Sequence, residues 1–373
     1  MGRKNRTEVK SGVPKTGDRT EGPEFRRILL LSHEMTYTGA PNSLLNVARV
    51  LRRHGHRVTV YTLADGPFKK EFHRRGFRVR ILRAELPRIS GGRYDLVIAN
   101  TIFCGRQAQE LQEKIPTLLY IREAQNLPDI IRDCNLDEAY VRYAYYPVCV
   151  SAYAGRFISR TYCPERLWML PNFLIPPLLF RPGENRIRGG KVHFLIAATI
   201  EQRKGIAVAA EAMNLLSPAA AERAVLDIAG RKPEWARDYW EELKLEENPG
   251  IVYHGEVTGH RKKRRLFRNA NVILVPSFDE SCSLTALEGA MYGRALLVTE
   301  NVGANYLARG GGLIVPTGSA KALAEAMEFL IENRSLLGEM GRQAHENFCR
   351  MASADDYYTR LTEIFRKIRE EQR

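Results

Sequence analysis

The stretch 271–293, Asn-Val-Ile-Leu-Val-Pro-Ser-Phe-Asp-Glu-Ser-Cys-Ser-Leu-Thr-Ala-Leu-Glu-Gly-Ala-Met-Tyr-Gly, constrains the fold more than any other. Its first five residues form a short apolar run, the pattern of a strand buried on both faces. Pro276-Ser277 breaks that run. Leu284, Leu287 and Met291 then repeat at helical spacing, and Gly293 is suited to stop the helix. Ser281 or Ser283 is placed to cap its start. A strand, a short polar loop and a helix N-terminus therefore follow one another, and the free N–H groups at such a terminus can hold an anion.

Two carboxylates bracket that position. Glu280 precedes the helix and Glu288 lies within it, with seven residues between them. At the helical rise they stand roughly 10 Å apart along the axis. That separation suits a ligand with hydroxyls at both ends and a diphosphate in the middle, as in a nucleotide sugar, each carboxylate accepting from a pair of hydroxyls. The plainer reading makes Glu280 an ordinary first-turn acid and Glu288 a solvated helix residue.

The N-terminal half opens with the same kind of unit. Arg27–Ser32 reads as a buried strand, followed by a loop over 33–42, an amphipathic helix carrying Leu44, Leu45, Val47, Ala48 and Leu51, and a second strand at 57–61. This strand–helix–strand order predicts a Rossmann-like α/β sheet. It lacks the G-x-G-x-x-G of a dinucleotide site. Further strands are expected at 77–82, 95–100, 117–121, 147–151 and 167–172. Pro176-Pro177 through Gly189-Gly190 reads as a linker. A second set follows, with strands at 192–198, 225–230 and 251–254, a helix over 206–216, another over Ala320–Glu332 and a last one around 355–368. The expected organisation is a disordered basic tail over 1–26, a first Rossmann-like domain over 27–175, a linker over 176–190, a second domain over 191–350 and a C-terminal helix over 351–373.

Charge narrows the partners. The chain of 373 residues carries a net charge of +14, and the first 26 residues contribute only +3 of it. The folded part therefore favours an anionic partner such as a nucleotide, a phospholipid head group, an anionic glycan or a nucleic acid. Aromatic residues are not interleaved with Lys and Arg as base-stacking platforms require, which argues against nucleic acid. The run 260–268, His-Arg-Lys-Lys-Arg-Arg-Leu-Phe-Arg, is a solvated helix face by default and otherwise a contact for anionic lipid or an acidic acceptor. Six cysteines lack any CxxC or Cys/His metal spacing and read as reduced thiols. With no apolar run of membrane-spanning length and no signal-peptide core, a cytoplasmic protein is expected, at most peripheral on the inner face of a membrane.

Glu280-(x7)-Glu288 followed by Gly289-Ala-Met, after Leu-Val-Pro-Ser277, resembles the E-x7-E motif of the family-4 retaining glycosyltransferases of GT-B fold. The resemblance extends over almost all of the chain beyond residue 26. It implies two Rossmann-like domains facing each other across a cleft, the first for the acceptor and the second for the nucleotide-sugar donor, with the last helix crossing back to the first domain. It further implies transfer of a sugar, with retention of configuration and without cofactor or bound metal, from a UDP- or GDP-type donor to a hydroxyl acceptor. That acceptor is a glycan, a lipid-linked sugar or a small molecule, and cell-envelope polysaccharide synthesis is the family's common setting. No Asp-x-Asp, the usual metal–diphosphate motif of the other main glycosyltransferase fold, occurs in the sequence.

Carried over position by position, Glu280 contacts the donor sugar and Glu288 the ribose. Lys204-Gly205 matches the Lys-Gly whose ammonium pairs with the diphosphate. The Arg usual five residues earlier is Thr199 here, leaving Arg203 to compensate. Backbone amides of Ser283, Leu284 and Thr285 hold phosphate, although 281–284 read Ser-Cys-Ser-Leu where the family has Gly-Phe-Gly-Leu. Thr38-Gly39 opens a stretch similar to the family's Gly-rich first loop, with a simple turn as the alternative. His254 falls in the loop that seats the base. Arg122 occupies the position of a family His; an Arg is no general base, so its expected part is to clamp an anionic acceptor or a phosphate. A GT-B-like sugar-nucleotide epimerase or hydrolase is the alternative enzyme, but the first half shows no convincing acid/base carboxylate pair. A basic nucleic-acid-binding protein and a catalytically degenerate transferase are the remaining alternatives, the last kept open by Arg122 and Thr199.

Overall fold

The computed structural model describes residues 23–82, 92–178, 180–257 and 259–373. Most of the expected tail, residues 1–22, lies outside them. Its last part is not a tail: Phe25 is fully buried, with its ring edge-on to Phe365 at 5.1 Å. An aromatic residue among charges was legible as a possible anchor only once its partner, 340 positions away in sequence, was in place.

Two wholly parallel sheets form the scaffold. The first has the order β3-β2-β1-β4-β5-β6-β7, from β1 Arg27–Ser32, β2 Arg57–Thr62, β3 Val79–Ile81, β4 Leu96–Asn100, β5 Thr117–Ile121, β6 Tyr146–Cys149 and β7 Trp168–Met169. The second has the order β10-β9-β8-β11-β12-β13, from β8 Val192–Ala197, β9 Ala224–Ala229, β10 Ile251–Tyr253, β11 Val272–Val275, β12 Ala295–Thr299 and β13 Gly312–Val315. Central strands are apolar throughout because helices cover both faces, so both sets of alternate side chains are buried. β4, β5, β11 and β12 have no exposed residue.

Strand β12 and the helix Leu337–Met351 have no counterpart among the expected elements. Ala-Leu-Leu-Val-Thr follows the helix stop at Gly293 after a single residue, and so short an apolar run does not announce itself by periodicity. The expected strand over 167–172 shrinks to a two-residue edge pair, after which the chain leaves the sheet.

The last helix, Ala354–Glu371, packs on the first sheet. Tyr357 stacks on Phe173 at 4.0 Å, and its hydroxyl lies 2.7 Å from that of Tyr120 on β5. Tyr358 stacks on His54 at 3.6 Å and is hydrogen-bonded to His56 Nε2 at 2.9 Å. One apolar cluster consequently runs from Leu30 through Phe173 and Phe365 to Leu287 and Leu296 of the second domain.

Candidate active site

The strand order of each sheet reverses once, between β1 and β4 and between β8 and β11. At such a reversal the flanking loops diverge and leave a crevice beyond the carboxyl ends of the strands, where α/β proteins bind ligands. Here the two crevices face each other and form one cleft of about 460 Å³. His33, Thr38 and Gly39 after β1, Thr101 after β4, and Arg122 and Glu123 after β5 line it from the first domain. Thr199 after β8, Arg203, Lys204, and 280–285 after β11 line it from the second.

The helix after β11 spans Leu284–Met291, and Ser283 caps it, its Oγ accepting from Ala286 N at 3.2 Å. Gly293 ends it at φ +68°, a conformation that suits a residue without a Cβ. The N-terminal amides of this helix thus open onto the cleft, as do Ser283, Leu284 and Thr285 themselves. The Thr285 hydroxyl is already used, donating to Ala197 O at 2.6 Å.

Lys204 and Arg203 sit in a short turn, Gln202–Lys204, beside that terminus. Lys204 Nζ donates to Glu280 Oε2, and Arg203 Nη2 donates to Glu201 Oε1 at 2.7 Å while Nη1 donates to Asp279 O at 2.7 Å. Burial alone would raise the Glu280 carboxyl; the Lys204 ammonium and the Arg203 guanidinium outweigh it and hold it below the ordinary carboxylate range. Glu280 is therefore a fixed anion in the cleft wall.

The two domains are tied across the floor. The Asp279 carboxylate accepts from Gln125 N at 3.3 Å, Asn126 N at 2.9 Å and Tyr153 Oη at 2.8 Å. The Ser281 hydroxyl donates to the Arg122 carbonyl. At Gly303 a Cβ would meet Ser281 O at 1.9 Å and Ser151 Oγ at 2.4 Å, so the approach requires glycine. Gly39 stands across the cleft from Leu284, where a Cβ would come within 3.8 Å of Leu284 Cδ1.

Thr38 precedes the helix Gly39–Arg53 in extended conformation and makes no side-chain cap; its hydroxyl donates to Glu34 Oε1 at 2.9 Å. Arg122 lies in the cleft with Nε donating to Asn100 Oδ1 at 2.5 Å and Nη1 to Asn172 Oδ1 at 2.6 Å. Its guanidinium carbon stands 4.8 Å from the centre of the Tyr120 ring. Two expected site residues are placed outside the cavity wall. Glu288 pairs with Lys263 at 2.6 Å, and His254 Nε2 is hydrogen-bonded to Asp227 Oδ1 at 2.6 Å.

Several lining residues have no counterpart among those expected. Burial pushes the Glu123 carboxyl up to about 7, against the lowering effect of its bond from Arg122 N. His33 is driven below its ordinary value, first by burial. Its Nδ1 lies 3.1 Å from Thr101 Oγ1, and Thr101 holds the unusual φ of +85°. His33-Glu34 directly follows a strand and Asn172 ends a Leu-Pro-Asn turn, positions where loop residues reach a ligand. Asp279 had no such sign, because its role lies in partners from the other domain.

Facing Rossmann-like sheets joined by a crossing helix, with cations and a helix start in the cleft, define the GT-B architecture. Residues 191–333 match the profile of glycosyl transferases group 1, and residues 24–124 match that of glycosyl-transferase family 4. The chain belongs to these group 1, family 4 glycosyltransferases. It is 28% identical over 178 residues to a D-inositol 3-phosphate glycosyltransferase of Arthrobacter sp. strain FB24, a match spanning 44% of this chain and 41% of that relative. Among solved structures, Anabaena HepE in complex with UDP superposes with a TM-score of 0.72 at 15% identity, covering 91% of this chain and all (100%) of that one. A sucrose-phosphate synthase from Thermosynechococcus elongatus gives 0.71 at 16% identity over 93% of this chain and 100% of that one.

Proposed function

We propose that this chain transfers a sugar from a nucleoside-diphosphate donor to a hydroxyl acceptor, with retention of configuration and without a bound metal. One observation carries the reading. Both strand-order reversals open onto a single cleft, and the cationic pair Arg203/Lys204 and the Ser283-capped helix start lie on the same wall of it. A diphosphate laid on that wall meets the amides of 283–285 and the two cations, which neutralise the charge that grows as the glycosidic bond breaks. On this reading Glu280, kept ionised by the same cations, accepts from hydroxyls of the donor sugar.

The acceptor hydroxyl enters from the first-domain wall. No protein base is needed there if a phosphate oxygen of the donor takes the hydroxyl proton as the new bond forms. The Arg at position 122 is in keeping with this, since a guanidinium cannot take a proton. HepE, of the same fold, has been solved with UDP and with UDP-glucose. We extend a UDP-type donor to this chain on that basis. The cell-envelope setting rests on the family alone.

Among the described residues no helix is long and apolar enough to cross a membrane. The helix His260–Asn269 buries Phe267 and exposes Arg261, Lys262, Arg264, Arg265 and Arg268. That face suits peripheral contact with an anionic, cytoplasm-facing membrane.

Calorimetry with UDP-, GDP- and ADP-sugars, beside NAD and a DNA duplex, tests the reading. One sugar nucleotide should bind saturably. In Glu280→Ala nucleotide binding should persist while sugar transfer drops. The Glu288 carboxylate is paired with Lys263 outside the cavity wall; in Glu288→Ala a fall in nucleotide affinity of roughly 1–3 kcal/mol is expected only if that pair opens to admit the ribose, and unchanged affinity would remove Glu288 from the site. Binding to none of the sugar nucleotides, with salt-dependent retention on DNA, would overturn the proposal.

A further inference from the structure

The charges of the cleft do not balance inside the protein. On the second-domain wall each cation has a carboxylate: Lys204 has Glu280, and Arg203 has Glu201 at 2.7 Å. On the first-domain wall Arg122 has none among the described residues. Its partners are the neutral side-chain carbonyls of Asn100 and Asn172 and the face of Tyr120. The neighbouring acids are turned elsewhere. Glu123 Oε2 accepts from the backbone N–H of Arg122 at 2.7 Å, and Glu34 takes the hydroxyls of Thr36 and Thr38 at 2.6 and 2.9 Å.

A partly desolvated cation without a counterion is costly, and a hydrophobic or neutral side chain would fill the place more cheaply. The two asparagines do not repay that cost. What they do is orient the planar fork: with Nε and Nη1 held, Nη2 has no partner among the described residues, in a side chain that lines the cleft. A guanidinium fixed in this way is suited to an oxyanion, which it can meet with directed hydrogen bonds as well as charge. The donor diphosphate already has cations and a helix start on the opposite wall. Arg122 lies on the first-domain wall, the side to which the proposed reading assigns the acceptor.

We propose that the acceptor carries a phosphate or carboxylate close to the hydroxyl that is glycosylated, and that Arg122, held by Asn100 and Asn172, receives this oxyanion. The inference rests on the glycosyl-transfer reading above. It makes Arg122 a specificity-determining residue for the second substrate, not a ligand of the donor.

The test uses the full chain saturated with whichever nucleoside diphosphate it binds, so that the donor's phosphate wall is occupied. Inorganic phosphate, glucuronate and, as neutral control, glucose are titrated into it by calorimetry. Phosphate or glucuronate should bind and glucose should bind more weakly. Arg122→Gln should weaken the oxyanion by roughly tenfold or more, the worth of a charge-assisted pair, with nucleotide affinity unchanged; this last readout also shows that the variant is folded. Arg122→Lys should restore part of the loss, because the charge returns without the fork. Two arms separate the sources of the oxyanion. Glucose 6-phosphate binding that depends on Arg122 assigns it to a soluble sugar, and Arg122-dependent retention on vesicles containing phosphatidylinositol assigns it to a lipid head group. Nucleotide binding without oxyanion binding overturns this inference alone, as does equal oxyanion affinity in Arg122→Gln. A parallel loss of nucleotide affinity in that variant also overturns it, by making Arg122 a donor ligand. Failure of every nucleoside diphosphate to bind overturns the transfer reading and this inference with it.

Discussion

Glu123 shows how a single side chain carries the cleft's chemistry into the stability of the protein. It is 8% exposed, and burial lifts its carboxyl from the ordinary 4.5 to about 7. The folded chain therefore holds this proton more tightly than the unfolded chain does. Its contribution to stability is fully present below 4.5 and is lost as pH rises through about 7. Glu123→Gln, a mimic of the neutral acid, removes that dependence. In urea unfolding, wild type should lose on the order of 3 kcal/mol relative to Glu123→Gln between those two pH values. His33 titrates in the opposite sense, since burial favours its neutral form and its share of stability is lost as pH falls; it is common to both proteins and cancels in the difference. A wild-type-minus-variant difference that does not change with pH would show that Glu123 ionises as an ordinary surface acid.

At the scale of elements, the delivery of Lys204 depends on one glycine. Gly205 closes the Gln202–Lys204 turn at φ +68°, and a Cβ on it would lie 2.0 Å from the carbonyl oxygen of Pro276. The turn is thereby pressed against the loop after β11, and Lys204 reaches Glu280 because of it. Gly55, at φ +85°, has nothing within 4 Å of such a Cβ. Gly55→Ala should cost only the left-handed backbone penalty, about 1 kcal/mol. Gly205→Ala should cost clearly more than that and also weaken nucleotide binding, because the backbone contact must open. Thermal melts of the two variants with and without nucleotide compare them directly; equal losses would mean that the turn adapts freely. The Lys204-Gly205 pair was legible in the sequence as a family match. That its glycine is needed for a backbone approach follows only from where β11 ends.

At the scale of the whole molecule, Asp279 is the tie between the halves. Its carboxylate takes two main-chain amides and the Tyr153 hydroxyl of the first domain at 2.8 to 3.3 Å. Removing it leaves three donors without an acceptor at a buried join. Asp279→Ala should destabilise by on the order of 2–4 kcal/mol, speed hydrogen exchange at the amides of Gln125 and Asn126, and raise the radius of gyration in small-angle scattering as the cleft opens. Unchanged exchange at those two amides would show that the join does not depend on this carboxylate.

The alternation of apolar runs and amphipathic helices, the two-domain order, Glu280 before a helix start and a cap at Ser281 or Ser283 were readable in the sequence as local properties: periodicity reports which face of an element is buried, and the strand–loop–helix unit sets where its loop residues stand. Lys204 was legible by family resemblance, and the structure decided for Ser283 as the cap. The short β12 escaped because a five-residue run flanked by a helix stop carries no period of its own. Which candidates share a cavity was decided by the tertiary structure. Glu288 and His254 turned to Lys263 and Asp227, while Arg122 gained Asn100 and Asn172 from 22 and 50 positions away and Asp279 gained Asn126 from 153 away. Counterions and hydrogen-bond acceptors act over a few ångströms in space. Only the packing of the two sheets could say that a charge which looks solvated in the sequence is paired, or that Arg122 in the cleft has no carboxylate among the described residues.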